Sequence, residues 1–265
     1  MIIDGRKIAA DIIEQLRRLP SPARYLAVVD VGEGPASKSF VAQKKRVAQE
    51  LNIEFRQTTV SENGPHSDLA AAILSFARDP ACGGIVLQLP LPAGFDRDTA
   101  ISLIPNGKDV DNLRGNAPVL APAAGVVDEV LRASRFTIHN SRCAVVGANG
   151  FLVGRPTAAW LSSQGAEVDR LDIGDDLSSV QSADIVVLGT GEPGVVNPDM
   201  LKNGALVIDF GYGKKDDAVC GDFFPSSATS QTSSITYTPT PGGTGPILVA
   251  KLFENFYTLT GSTEK

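Results

Sequence analysis

The sequence predicts an α/β protein of two domains, each built on a parallel sheet covered by helices. Three observations predict it. Short apolar runs of strand length alternate with stretches of helical period from the start to Leu89, a second such series begins at Arg142, and a connection bearing two prolines and a glycine, Asn112 to Pro122, separates them. Strand, helix and strand in succession imply parallel pairing, with helices on both faces of the sheet. The expected division is a first domain over 1–117, to which a last helix of about 246–265 returns, and a second domain over 118–245.

The elements follow in order. Asp4 is placed to cap a helix whose apolar positions are Ile8, Ile12, Ile13, Leu16 and Leu19. Leu26-Ala27-Val28-Val29 has the pattern of a buried strand, and a loop with Gly32, Gly34 and Pro35 follows. Next come a helix near 37–51, a strand near 53–60, a helix near 67–78 and the strand Gly84 to Leu89, which Pro90 stops. The second series reads strand (143–146), glycine-rich turn, helix (151–164), then strands over 166–171, 183–189 and 205–210. Ser226 to Ser234 is rich in Ser and Thr and reads as loop, and Ile247 to Tyr257 is an apolar helix after a Pro/Gly-rich hinge.

Composition narrows the function. Lys+Arg total 24 against 30 for Asp+Glu, a net charge of -6 spread along the chain. That balance argues against a nucleic-acid partner, which calls for a basic stripe; the nearest candidate, Lys44-Lys45-Arg46, is three residues long. No segment approaches the roughly 20 apolar residues of a membrane span, and the start lacks the apolar core of a signal peptide. Cys82, Cys143 and Cys220 are too far apart for a metal motif or a disulfide framework and fit a reducing cytoplasm. The only histidines, His66 and His139, lie in polar, loop-like contexts, so neither a zinc site nor a Ser-His-Asp triad is expected, and no metal is.

One lysine stands out. In the helix 37–51 the apolar stripe is Phe40, Val41, Val47, Ala48 and Leu51, and Lys44, four residues after Phe40 and seven before Leu51, shares that inward face. It either snorkels to water or points into a cleft. In a cleft, partial desolvation would lower its proton affinity and make it a usable acid or base near neutral pH. Gln88 stands at the carboxyl end of a strand, where open α/β sheets place ligands, although such an amide also satisfies loop backbone. Asp111 can accept paired N–H bonds from a ligand or simply make an Asx turn.

Pro35-Ala36-Ser37, Phe40-Val41 and Lys44 together resemble the first-domain signature of bifunctional methylenetetrahydrofolate dehydrogenase/cyclohydrolases. Ile3-Asp4-Gly5, the run Gly84 to Pro92 (GIVLQLPLP), Lys108-Asp109-Val110-Asp111 and Pro239 to Pro246 (PTPGGTGP) match the same family in the same order, over nearly the whole chain. The resemblance implies that Lys44 is the catalytic acid/base and that Gln88 hydrogen-bonds and tunes it. It implies that Asp111 holds the pterin, with Asp109 the other candidate, and that Phe40, Pro241, Gly242 and Gly243 contact substrate. It further implies tetrahydrofolate one-carbon derivatives as ligands, a homodimer, a cleft between the two domains, and NAD or NADP as cofactor, NADP being the family's commoner choice. The implied chemistry is oxidation of the methylene bridge to the methenyl form, then hydrolysis to formyl-tetrahydrofolate. Proton transfers in the second step fall to Lys44 and Gln88.

The second domain carries Gly147-Ala148-Asn149-Gly150, with Gly154 opening the helix. Strand, glycine turn and helix in this order let backbone N–H groups and a helix N-terminus meet a pyrophosphate, the mark of a Rossmann-type dinucleotide-binding domain. Asp172 ends the next strand about 25 residues beyond Gly147, near the spacing at which an acidic residue binds a ribose hydroxyl. A carboxylate there would repel a 2′-phosphate, so the sequence leans to NAD; Arg155 or Arg170 turning toward that phosphate would reverse it, and Asp172 could instead merely begin a loop.

Departures from the family pattern matter too. Arg-Ser after the first glycine is Ala148-Asn149 here with an added residue, the Cys-Thr-Pro-x-Gly block is eroded to Ala121 to Gly125, and the family's tyrosine is Phe40. These leave two alternatives, a monofunctional dehydrogenase and a catalytically retired paralogue that binds folate. An unrelated Rossmann dehydrogenase would leave GIVLQLPLP and PGGTGP unexplained.

Overall fold

The computed structural model describes residues 1–32, 34–215, 218–225 and 234–262. Two compact units emerge, one of Met1–Ala9 with Ala123–Leu248, the other of Ala10–Pro122 with Val249–Lys265. The chain passes from one to the other inside its first and last helices and at Pro122.

In the unit that carries Lys44, α1 (Gly5–Arg18) leads to β1 (Tyr25–Val31), α2 (Pro35–Glu50), β2 (Phe55–Val60), α3 (His66–Arg78), β3 (Cys82–Leu87) and α4 (Arg97–Ser102). Asp4 does cap α1, its Oδ1 accepting the N–H groups of Arg6 and Lys7 at 3.0 and 3.1 Å. The sheet is parallel in the order β2-β1-β3. Every residue of central β1 is buried, while edge strand β2 is largely open to solvent, as a two-sided parallel sheet requires. The one carboxylate in β1, Asp30, is buried and satisfied by Gln57 and Thr59 of β2.

The other unit holds α5 (Pro122–Ser134), β4 (Arg142–Val146), α6 (Gly154–Ser163), β5 (Glu167–Leu171), β6 (Ile185–Leu188), β7 (Leu206–Asp209), the antiparallel pair β8 (Gly213–Lys215) and β9 (Ala218–Cys220), and β10 (Thr236–Tyr237). Its parallel sheet runs β10-β7-β6-β4-β5. The last helix, α7 (Thr244–Thr260), begins in this unit and ends in the other. There Asn255 donates to the carbonyls of Val110 and Leu120, both at 2.8 Å.

The structure differs from the sequence reading at four places. The eroded block Ala121–Gly125, to which no helix was assigned, opens α5: Pro122 takes the first turn, where its missing N–H costs nothing, and Ala123, Ala124, Val126, Val127 and Val130 are buried. Residues 151–153 form a turn, so α6 starts at Gly154. Short 3-10 turns, Leu177–Ser182 and Pro198–Met200, join the later strands. Met1–Ala9 groups with the second series instead of the first, because Ile3 N–H donates to Tyr237 O and Tyr237 N–H to Met1 O. Of the Ser/Thr-rich stretch read as loop, all but Ser234 lies outside the described residues.

Candidate active site

In the sheet β2-β1-β3 the chain leaves β1 to one side and returns on the other, so the switch point lies between β1 and β3 at their carboxyl ends. Open α/β sheets bind ligands at such a point. Gln88, the first residue past β3, is held there by its own N–H to Val29 O at 2.8 Å. Lys44 projects from α2, the helix that follows β1, and its Nζ donates to Gln88 Oε1 at 2.7 Å. Gln88 Nε2 donates to Leu89 O at 2.9 Å, so the amide serves loop backbone and the lysine at once. The ammonium is thus directed at the strand end rather than carried out along the helix surface. Burial lowers the pKa of Lys44 below the ordinary lysine value, and Asp111 opposes that shift.

The two aspartates of the KDVD block have separate fates. Asp109 is fully buried, and its two oxygens accept the N–H groups of Leu113 and Arg114 at 3.0 Å each. It shapes the loop that carries Asp111. Asp111 is half-buried and its carboxylate takes no hydrogen bond from the described residues. Burial pushes Asp111 up to about 6, with Lys44 pulling down and Asp109 pushing up. Phe40, half-buried, lies one turn before Lys44 on α2. A lysine of lowered proton affinity, the amide that it donates to and an uncommitted carboxylate are therefore gathered in one place. Lys108, which the sequence reading left without a role, caps α3, its Nζ donating to the carbonyls of Phe76, Ala77 and Asp79.

The glycine turn occupies the same topological position in the larger sheet. Its switch point lies between β4 and β6, and Gly147 to Gly150 follow β4. Gly147 has φ +84°, and a Cβ at Gly154 would stand 2.0 Å from Gly147 O, so the helix start can approach the turn only as glycine. Ala148 is buried with its N–H on Leu171 O, and Asn149 is exposed. Asp172, the first residue past β5, accepts the Asn149 N–H at 3.0 Å and so stands beside the turn. The Gly189–Thr190 segment past β6 borders it from the other side, since a Cβ at Gly147 would meet Gly189 O at 2.7 Å and Thr190 N at 3.1 Å. The sequence reading missed that segment; its signal is the Leu188-Gly189-Thr190-Gly191 ending of an apolar strand. Pro241, Gly242 and Gly243 belong to this unit, where Gly243 O comes so near Gly5 that a Cβ there would lie 1.9 Å away. The first and last sequence blocks of the chain are therefore packed together.

Two family models match the chain: the catalytic domain of tetrahydrofolate dehydrogenase/cyclohydrolase over residues 3–111, and its NAD(P)-binding domain over 121–263. The chain belongs to the tetrahydrofolate dehydrogenase/cyclohydrolase family. Among relatives of this family, the bifunctional protein FolD of Roseiflexus castenholzii is 35% identical over 276 residues, 96% of this chain and 94% of that protein. The bifunctional FolD enzyme of Campylobacter jejuni superposes with a TM-score of 0.91 at 28% identity, over 98% of each chain. The Trypanosoma brucei methylenetetrahydrofolate dehydrogenase-cyclohydrolase, solved with NADP and an inhibitor, gives a TM-score of 0.88 at 28% identity, over 98% of this chain and 97% of that one. As in these tetrahydrofolate dehydrogenase/cyclohydrolases, the fold is two α/β domains, one catalytic and one NAD(P)-binding. Among the described residues no helix is long and apolar enough to cross a membrane.

Proposed function

We propose that this enzyme oxidises 5,10-methylene-tetrahydrofolate to the methenyl form with a nicotinamide dinucleotide and hydrolyses that product to 10-formyl-tetrahydrofolate. The Lys44 Nζ to Gln88 Oε1 hydrogen bond beside Asp111 is the observation that carries the reading. The unit of Ala10–Pro122 is assigned to folate. Asp111, with its carboxylate uncommitted, accepts N–H bonds from the amino-pyrimidine edge of the pterin. Asp109 is assigned instead to the loop that presents it. Gln88 fixes the direction of Lys44, whose lowered proton affinity lets it take a proton from water attacking the methenyl carbon and return one as the ring opens. Phe40, one helical turn before Lys44, is assigned to hold the ammonium by its ring face, a contact worth about 0.5–2 kcal/mol. Pro241, Gly242 and Gly243 are assigned to substrate by the family pattern.

The residues around Gly147 fit a dinucleotide by place and chain path: a glycine turn at the switch point of the sheet, drawn so close to the start of α6 that a Cβ at Gly154 would strike Gly147 O. A bound nicotinamide supplies the hydride acceptor. Gly147, Ala148, Asn149, Gly150 and Gly154 are assigned to the pyrophosphate, with the N-terminus of α6 at Gly154 supplying the donors, because the N–H groups of Gly147, Ala148, Asn149 and Gly150 are taken by Leu171 O, Asp172 Oδ2 and Gly147 O. Asp172 accepts from the ribose hydroxyls and repels a 2′-phosphate; like charges at 4 Å cost about 4 kcal/mol near a protein surface. We therefore assign NAD as the preferred cofactor. The enzyme is further read as a cytoplasmic homodimer, on its unpaired cysteines and its family.

A spectrophotometric assay that follows reduced dinucleotide and methenyl product separately tests the reading. The expected result is formation of reduced cofactor from methylene-tetrahydrofolate, a higher kcat/KM with NAD than with NADP, and decay of added methenyl-tetrahydrofolate faster than in buffer. Oxidation without that decay would make the enzyme a monofunctional dehydrogenase. Folate binding with neither activity would make it a retired paralogue.

A further inference from the structure

Two carboxylates lie deep in the unit that holds the glycine turn, and neither has a part in the chemistry above. Asp209 ends β7 and is 1% exposed; Asp222, in the segment after β9, is 0% exposed. Asp222 Oδ2 accepts three bonds from one short stretch: the Thr190 N–H at 2.6 Å, the Thr190 hydroxyl at 2.8 Å and the Gly191 N–H at 3.2 Å. Thr190 Oγ1 in turn accepts the Glu192 N–H at 3.0 Å. A single carboxylate oxygen thus shapes the chain just past β6.

Asp209 holds Asp222 in place. Its Oδ1 accepts the N–H groups of Gly211 (2.7 Å) and Asp222 (3.2 Å), and its Oδ2 accepts that of Phe223 (3.1 Å). Asp209 is itself fixed through its N–H to Thr238 Oγ1 and its carbonyl to the Thr244 hydroxyl, both at 2.8 Å. Two glycines leave room for the pair. A Cβ at Gly211 would stand 2.1 Å from Asp222 Oδ1, and one at Gly221 would stand 1.9 Å from Asp209 Oδ2. The arrangement is costly: burial raises both acids, Asp209 to about 7, and Asp222 Oδ1 is buried without a hydrogen-bond partner among the described residues. A site kept at such a cost is expected where function needs it.

The segment that Asp222 shapes is the one bordering Gly147, across the switch point of the sheet. We propose that Asp222, seated by Asp209, is a positioning residue for dinucleotide binding that holds Thr190 and Gly191 against the glycine turn. This rests on the dinucleotide reading of that turn. It assigns Asp222 no contact with folate and no role in methenyl hydrolysis.

Calorimetric titration of the full chain with NAD, NADP and tetrahydrofolate separates the possibilities. Asp222→Leu removes every acceptor and should weaken binding of the preferred dinucleotide about tenfold or more, a change of about 1.4 kcal/mol per tenfold, with folate affinity and methenyl hydrolysis unchanged. Asp222→Asn keeps a carbonyl oxygen for Thr190 and Gly191 and puts an amide where the unpartnered oxygen was, so it should bind within about twofold of wild type. Thr190→Ala, which keeps the backbone donors, covers the case in which the leucine variant does not fold; it should weaken dinucleotide binding severalfold while folate affinity holds. Wild-type dinucleotide affinity in a folded Asp222→Leu or in Thr190→Ala overturns the proposal, as does a parallel loss of folate affinity. A wild-type chain that binds neither dinucleotide would overturn the function reading itself.

Discussion

Asp111 stands between two neighbours that act on it in opposite senses. Lys44 favours its charge and Asp109 disfavours it, while burial pushes the carboxyl up to about 6. A carboxyl raised on folding stabilises the native state below its unfolded value near 4, and that contribution is lost as pH rises through 6. Asp111→Asn should therefore be more stable than wild type at pH 8, by about 1–2 kcal/mol once solvent screening is allowed for, and should converge with it by pH 4. Urea unfolding at the two pH values measures this. Binding gives the opposite slope. If the ionised carboxylate holds the pterin, kcat/KM for folate falls as pH drops through 6, and Asp111→Asn is weak at every pH without that limb. A limb that persists in the variant would assign it to another group. None of this was visible from residue type, since KDVD offers two aspartates at one spacing. Only the N–H bonds from Leu113 and Arg114 separate the one that builds the loop from the one left uncommitted.

At the scale of elements, β1, α2, α3 and β3 were legible because their patterns are local: an apolar run from Leu26 to Val29 in the central strand, an apolar stripe at helical period, a proline that ends a strand. α5 was not, because its first turns, Ala-Ala-Gly-Val-Val, carry no polar residue and its polar positions Asp128, Glu129 and Arg132 all fall in the second half, so its start depends on the core that receives Val126 and Val130. The pairing of Met1–Ala9 with β10 and the β8–β9 hairpin were hidden for a related reason. The bridge of Ile2 with Tyr237 is fixed by a partner more than 200 residues away, and β8, β9 and β10, of three, three and two residues, are too short to show an alternating pattern. Lys108 shows the same limit in one side chain. The sequence left it without a role, yet it takes the end of α3 by three carbonyls. Lys108→Met should cost about 1.5–3 kcal/mol, the worth of hydrogen bonds to a charged group, and lower the urea midpoint with an unchanged slope. It should not alter Lys44 chemistry, so full hydrolytic turnover at temperatures well below unfolding is the accompanying expectation. A stability change under 0.5 kcal/mol would mean that water replaces the ammonium at those carbonyls without loss.

For the whole molecule, the consequence is separability. Lys44, Gln88 and Asp111 belong to one compact unit, with Lys44 partnered by Gln88, and Gly147, Asp172 and Asp222 belong to the other, with Asp172 partnered by Asn149 and Asp222 by Thr190. Substitutions without shared partners add in free energy within about 0.3–0.5 kcal/mol. Lys44→Met should cut methenyl hydrolysis by about 10²–10⁴, the usual worth of a positioned acid/base, and leave the dissociation constant of the dinucleotide unchanged. On the proposed reading, Asp172→Ser should shift dinucleotide preference toward NADP, by removing the charge assigned to the 2′-position, and leave hydrolysis unchanged. In the double variant each loss should then match its single-variant value within about twofold. Coupling through the folate substrate would show as a hydrolysis rate in the double variant well below that of Lys44→Met alone. That result would mean the dinucleotide loop also shapes the hydrolytic site. Measuring hydrolysis with no dinucleotide present, and dinucleotide binding with no folate present, keeps the two terms apart: a ligand that is absent cannot transmit an effect, so any coupling left over belongs to the protein itself.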